Sequence, residues 1–343
     1  MSEKWRFTIS YFLLLLALTA IWNLASLVGK SNPQPTTSTT SELNPGSNPH
    51  PTHTNNISIT SEPTRGPGSI ELLFMGRLGN NLFEYATARA LADSLGWGLT
   101  MKTAWSKPKF GTLLTPEGMK CFPGIRPIDS VPVRDLEVKE FRGVQVEMKD
   151  VEPRQIIMRN WFQNYNFFSY AKGNLRQIMA IDRSCCDDLR PGPEDVVIHF
   201  RNYRAELSKE QYKKLHFKDL GYSYYRKVLA HISNGKGGPP SKVWMVGQFG
   251  TDDPLPSQLR EEFGAVLLND KRRGQFQDFC FMCRANRLVI ATSTFSWWAA
   301  FLSNATEIHF PLQKRQGVTT ANIKVTDEAR YIYHQFSGEV LKD

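Results

Sequence analysis

The stretch IELLFMGRLGNNLFEYATARALA, residues 70–92, decides the fold. Residues 70–74 form a short apolar run. Residues 81–95 carry Leu82, Tyr85, Ala86, Ala90 and Leu91 near helical spacing, so the segment reads as strand, glycine turn and helix. Phosphate-binding loops occupy turns of this kind, yet this one lacks both G-x-G-x-x-G and the Gly-Lys-Ser/Thr ending of a P-loop. It offers Arg77, Asn80 and Asn81 beside Gly76 and Gly79, a cation and two amides at the start of a helix.

Outward from this unit the alternation repeats. Residues 99–101 and 156–158 read as strands, separated by a polar, proline-containing region up to about 150, and 169–182 reads as a helix. Arg190-Pro-Gly-Pro-Glu-Asp then breaks the pattern. Beyond it, strands at 196–201, 242–246, 265–268, 287–291 and 308–310 alternate with helices at 222–233, 256–263, 275–285 and 294–302, and the tail is expected to be helical. Repeated β-α units imply an α/β fold with parallel sheets, in two halves, 69–190 and 191–343. Open sheets of this type bind ligands beyond the carboxyl ends of their strands, so the loops 76–81, 199–204 and 291–294 are expected to face one cleft.

Each of those loops carries chemistry. His199 and Arg201 stand two apart at a strand end and project to the same side, where a guanidinium takes a phosphate and an imidazole orients a second group. Ser293 or Thr294 is placed to cap the following helix, whose free amides otherwise favour an anion. Asp278, early in an apolar helix, either satisfies the helix dipole or accepts from the N1 and N2 donors of a guanine. Trp297 and Trp298 read as core. No Asp-x-Asp occurs anywhere, so the motif that commonly bridges Mn²⁺ to a sugar diphosphate is missing.

The N-terminus sets the location. Residues 7–28 are 22 positions without a charge, roughly 33 Å as a helix and enough to cross a bilayer. Lys4 and Arg6 precede them, giving a cytosolic tail at 1–6, a transmembrane signal anchor at 7–28 and a lumenal remainder. Residues 29–68 are rich in Ser, Thr, Pro and Asn and read as an extended stem. Asn56 and Asn304 begin N-glycosylation sequons. The five cysteines are either buried thiols or lumenal disulfides, and Cys280-Phe-Met-Cys283, with no second pair, does not suggest a zinc site. A net charge of +9 and a pI near 9.3 suit an anionic partner, but the basic residues are scattered, which argues against nucleic acid.

Taken in order, GRLGNNLFEYATARALA, RNWFQNYNFF, VVIHFR and DFCFMCRANRLVIATSTFSWWAAFL span nearly all of 70–312, and the chain resembles the galactoside 2-α-L-fucosyltransferase (α-1,2-fucosyltransferase) family. The resemblance implies a GT-B architecture, two Rossmann-like domains facing a cleft. The acceptor side would lie in 69–190 and GDP-fucose mainly in 191–343. It implies inverting, metal-independent transfer of fucose from GDP-β-L-fucose to a hydroxyl of a galactose-terminated glycan acceptor, in a single-pass type II protein of the Golgi membrane. No cofactor and no metal ligand are implied. Carried over by position, Arg201 contacts the β-phosphate, and His199 and Asp278 hold the guanosine. Ser293, Thr294 and Phe295 flank the diphosphate. Gly76 and Gly79 allow close backbone approach, while Arg77 and Asn80 reach phosphate, fucose or acceptor; Asn80 is also a candidate catalytic residue. Gln163 and Asn164 fall on the acceptor side. The family pattern H-x-R-R-x-D-Y is here His199-Phe-Arg-Asn-Tyr-Arg204, so the acidic position is basic and Glu206 becomes the candidate base. Transfer of another nucleotide-sugar or onto protein, and an inactive glycan-binding membrane protein, are the alternatives.

Overall fold

The computed structural model describes residues 68–103, 112–128, 154–203, 208, 210, 219–235, 237–247, 249, 253–268, 273–312 and 319–341. All belong to one compact unit of the chain, formed by Pro63–Glu137 with Met148–Asp343. The cytosolic tail, the anchor, nearly all of the stem, Asn56, Arg204 and Glu206 lie outside the described residues. Among the described residues no helix is long and apolar enough to cross a membrane.

In the first half, β1 (Gly68–Phe74) alternates buried and half-buried positions, as a strand with one face on a core must. It pairs in parallel with β2 (Gly98–Thr103) and β3 (Arg154–Met158), in the order β2-β1-β3. Ile70 lies opposite both Leu99 and Ile156. The helix α1 (Leu78–Leu95) begins three residues earlier than its periodicity indicates, because Arg77 at its N-cap makes no side-chain capping bond and leaves no Ser, Thr or Asp start signal. It ends at Gly96, whose left-handed conformation (φ 63°) returns its N–H to Ala92 and Asp93. The weakly patterned region holds a short helix, α2 (Pro116–Cys121), started by Thr115, whose hydroxyl accepts from the Gly118 amide. The helix expected at 169–182 is shorter: a 3-10 turn at Ser169–Ala171 leads into α3 (Lys172–Ile178), and a further 3-10 turn follows beyond it at Arg183–Cys185.

The second half builds a larger sheet from β4 (Val196–Phe200), β5 (Val243–Gly247), β6 (Val266–Leu267), β7 (Arg287–Val289), β8 (Glu307–Pro311) and β9 (Tyr331–His334). Their order is β6-β5-β4-β7-β8-β9 and every pair is parallel. Numbered within the half this is 3-2-1-4-5-6, a doubly wound sheet whose order reverses between β4 and β7. All five residues of β4 are buried, which is why Val-Val-Ile-His-Phe reads as one continuous run. The intervening helices are α4 (Tyr222–Ser233), α5 (Leu255–Phe263), α6 (Gln275–Cys283) and α7 (Thr294–Leu302). The expected helical tail is not found. Among the described residues of the tail only α8 (Thr319–Asn322) is helical, and Tyr-Ile-Tyr joins the sheet edge, where its aromatic and β-branched side chains suit a pleated surface. His309 Nδ1 and His334 Nε2, buried 2.8 Å apart, tie β9 to β8.

An aromatic layer joins the halves. Phe83 of α1 packs on Trp297 at 4.6 Å and on Trp298 at 5.1 Å, and Phe168 stacks on Trp298 at 5.5 Å. Both tryptophans are core, fully buried. Each such ring pair contributes roughly 0.5–1.5 kcal/mol beyond its burial. Two disulfides, Cys121–Cys185 and Cys186–Cys280, resolve the cysteines that sequence leaves open. Cys283 is free, its thiol donating to the Ala299 carbonyl at 3.5 Å and pushed up by burial.

Candidate active site

Beyond the carboxyl ends of β1, β4 and β7 lies a cavity of about 460 Å³, lined by residues 77–80, Gln163, His199, Arg201, Tyr203, Gly247, Gln275, Asp278, 292–295, Thr320 and Ile323. The three loops expected to share a cleft do share it, and they meet where the larger sheet reverses its strand order.

Two helix N-termini open into this space. Neither α1 nor α7 has an acidic residue in its first turn or a side chain capping it, so their first amides stay available with a dipole charge of about +0.5 each. The capping expected of Ser293 or Thr294 is not made. Thr294 Oγ1 donates instead to Asn80 Oδ1 at 3.0 Å, and the buried Ser293 carbonyl accepts from Ser296 Oγ at 3.2 Å. The third terminus, of α6, carries Asp278. Burial pushes that carboxyl up, against the pull of Arg273, whose Nε lies 3.1 Å from Oδ1. Arg273 also pairs with Asp187.

His199 and Arg201 both line the cavity, as their spacing in the strand requires. His199 is 3% exposed, and burial together with the adjacent guanidinium depresses its pKa to about 3, so the ring is neutral. Its Nδ1 is sealed and meets no partner, and its ring centre lies 5.9 Å from that of Phe295. The Arg201 guanidinium sits 5.1 Å over the Tyr203 ring, and Tyr203 in turn donates its hydroxyl to the Thr292 carbonyl at 2.6 Å. Two carboxylates from distant parts of the chain grip this loop. Asp253 Oδ2 accepts from Asn202 Nδ2 at 2.8 Å and Asp219 Oδ1 from the Tyr203 amide at 2.8 Å. Neither was legible in the sequence, for they stand 51 and 16 residues from their partners. Gln275, the first residue of α6, also lines the cavity and carries no signal in the sequence.

Several expected roles change. Asn80, a catalytic candidate, lines the cavity, and its Oδ1 accepts from both Gln163 Nε2 at 2.9 Å and Thr294 Oγ1, so that oxygen joins three loops. Asn81 faces inward: its Nδ2 donates to the Met75 carbonyl at 2.8 Å and to Glu84 Oε2 at 3.2 Å, while its Oδ1 accepts from the Leu113 amide. Glu84 Oε2 also accepts from the Met75 amide at 3.0 Å, and burial raises that carboxyl to about 8 despite these donors. Gly79 lines the cavity and also lets protein approach closely, since a Cβ there would lie 2.5 Å from the Phe295 nitrogen at the start of α7. Gly76, at φ +75°, does not line the cavity; a Cβ would strike Asn80 and Trp161. Asn164 is also away from the cavity, its Oδ1 capping the 3-10 turn Tyr165–Phe167 by accepting from Asn166 N at 3.0 Å. Asn304 is exposed just after α7.

No family model and no curated protein matches this chain. Among solved structures, the fucosyltransferase NodZ from Bradyrhizobium is similar with a TM-score of 0.43 and 11% identity, over 74% of this chain and 97% of NodZ. NodZ α-1,6-fucosyltransferase co-crystallized with GDP gives a TM-score of 0.41 and 12% identity, over 71% and 94%. POFUT1 in complex with GDP gives 0.37 and 14%, over 71% and 96%.

Proposed function

We propose that this protein is an inverting glycosyltransferase that moves L-fucose from GDP-β-L-fucose to a glycan hydroxyl, the 2-OH of a galactoside. One observation carries the reading. Two uncapped, acid-free helix N-termini and Arg201 converge on one cavity at a sheet's switch point, and a half-buried carboxylate on a third helix lines the same cavity. A nucleoside diphosphate-sugar has that charge pattern, anionic in the middle and with hydrogen-bond donors on a guanine edge. The motif resemblance supports fucose as the sugar.

In this reading Arg201 and the first amides of α7, with Ser293, Thr294 and Phe295, face the diphosphate, and Arg77 and the start of α1 approach from the other side. Asp278 accepts from the guanine N1–H and N2–H, and neutral His199 orients the nucleoside without adding charge. The acceptor oxygen attacks the anomeric carbon as the bond to the β-phosphate oxygen breaks. The bond's electron pair leaves with GDP, where Arg201 meets it, and the hydroxyl proton passes to a base, for which Glu206 is the candidate. The diphosphate charge is met by protein groups, so turnover is expected to survive EDTA; strict Mn²⁺ dependence would contradict this.

We place the enzyme as a type II protein of the Golgi membrane, anchored by 7–28 with 29–68 as stem. Two disulfides suit an oxidising lumen. The test is transfer of labelled fucose from GDP-fucose to a panel of glycans, peptides and proteins, with linkage analysis of the product. An α-1,2-fucosyl galactoside is the expected product. Transfer to peptide alone would redirect the assignment to protein fucosylation, and binding of GDP without any transfer would point to an inactive relative.

A further inference from the structure

We infer that Trp161 is a stacking platform for the pyranose ring of the acceptor, with galactose as the ring it selects. The indole is 43% exposed, although Trp is a residue that proteins bury. It stands beside the 76–80 turn, four of whose residues line the cavity. A Cβ on Gly76 would come within 2.6 Å of its ring, and Gln163, two residues on, lines the cavity. Gly76 therefore does a specific job at its positive φ: the absent side chain lets the indole lie against the 76–80 turn.

The backbone that presents the ring is held in a costly conformation. Phe162 is the one non-glycine residue with positive φ among those described, at +46°, a conformation that large L-residues avoid. It is held from both sides. Asn160 Oδ1 accepts from the Trp161 amide at 2.7 Å, and the Phe162 carbonyl accepts from the Asn164 amide at 2.8 Å. Gln163 then anchors the loop to Asn80. Strain held by this many bonds, next to an exposed ring, marks a presented surface rather than a packing accident.

The ligand class follows from the chemistry of the ring. An indole face is apolar and negative at its centre, so it attracts polarised C–H bonds and offers nothing to hydroxyls. In a galactopyranose the C–H bonds at C3, C4 and C5 lie on one side of the ring, whereas in a glucopyranose the equatorial 4-OH leaves H4 on the opposite side. The platform thus favours galactosides over glucosides. It deepens the acceptor side of the proposed transferase and rests on that reading, but it can fail separately.

The experiment uses the full chain in detergent. Binding of methyl β-galactoside, methyl β-glucoside and lactose is followed by saturation-transfer NMR in wild type, Trp161→Ala and Trp161→Phe, with calorimetric GDP binding alongside. Galactoside binding should weaken about ten-fold or more in Trp161→Ala and remain within about three-fold in Trp161→Phe, with GDP affinity unchanged. Unchanged galactoside affinity in Trp161→Ala, equal affinity for the two methyl glycosides, or no galactoside binding by wild type overturns the platform. A platform that binds galactoside in a chain that does not bind GDP would stand while the transferase reading fell.

Discussion

Thr294 Oγ1 donates to Asn80 Oδ1 across 3.0 Å, and this bond joins the first turn of α7 to the first turn of α1. Gln163 Nε2 reaches the same oxygen from the loop after β3. One amide oxygen therefore ties together the rims of both sheets.

Asn80→Leu removes the acceptor and leaves two donors, Thr294 Oγ1 and Gln163 Nε2, without their partner. We expect a loss of about 1–3 kcal/mol in urea unfolding. Thr294→Val leaves only Gln163 Nε2 on that oxygen and should cost about 1 kcal/mol in the same measurement. An unfolding midpoint equal to wild type in both variants would show that the bond does not hold the two turns together.

Arg201→Ala should lower fucosyl transfer by about 100-fold or more, the scale for removing a preorganised electrostatic stabiliser. Arg201→Lys should recover only part of this, since an ammonium cannot reproduce the planar fork of a guanidinium. Steady-state rates under saturating acceptor measure both, and near-normal turnover in Arg201→Ala would remove the residue from the mechanism.

Glu84 is buried with its pKa raised to about 8, against an ordinary value of 4.5. The folded state therefore holds a proton that the unfolded chain releases, and stability falls as pH rises between 4.5 and 8. Glu84→Gln mimics the protonated form. Wild type and variant should melt together near pH 4.5 and diverge as pH rises, with the variant ahead by up to about 4 kcal/mol at pH 8. A pH-independent difference in thermal unfolding would show that Glu84 is not the titrating group.

Gly79→Ala places a methyl 2.5 Å from the Phe295 nitrogen and 2.6 Å from the Thr294 carbonyl carbon. Backbone cannot yield as a side chain does, so α1 and α7 must separate, at about 1–3 kcal/mol. We expect a lower Tm together with weaker GDP binding, because α7 presents its amides from that contact.

Much of this site was legible because chemistry followed strand ends. His199, Arg201 and Asp278 could be found from a buried apolar run closing on charge and from an acid opening an apolar helix. The residues that escaped notice act at a distance or through backbone. Asp219 and Asp253 hold the 202–203 loop from far along the chain, and no local pattern announces them. Gly79 lines the cavity, but a sequence shows only the missing side chain and not that Thr294 and Phe295 stand against it. The tail misled for a different reason: its four-residue strand has no period to read, and only the open edge beside β8 makes it a strand.

Cys185 and Cys186 are neighbours in the chain, yet one bonds to Cys121, after the first sheet's β2, and the other to Cys280, in α6 of the second half. Two covalent pins thus meet at a single crossover between β3 and β4. Only Cys186–Cys280 joins the two halves, while Cys121–Cys185 closes a loop within the first. The covalent frame of the first half therefore runs straight into α6, and it grips that helix two residues beyond Asp278.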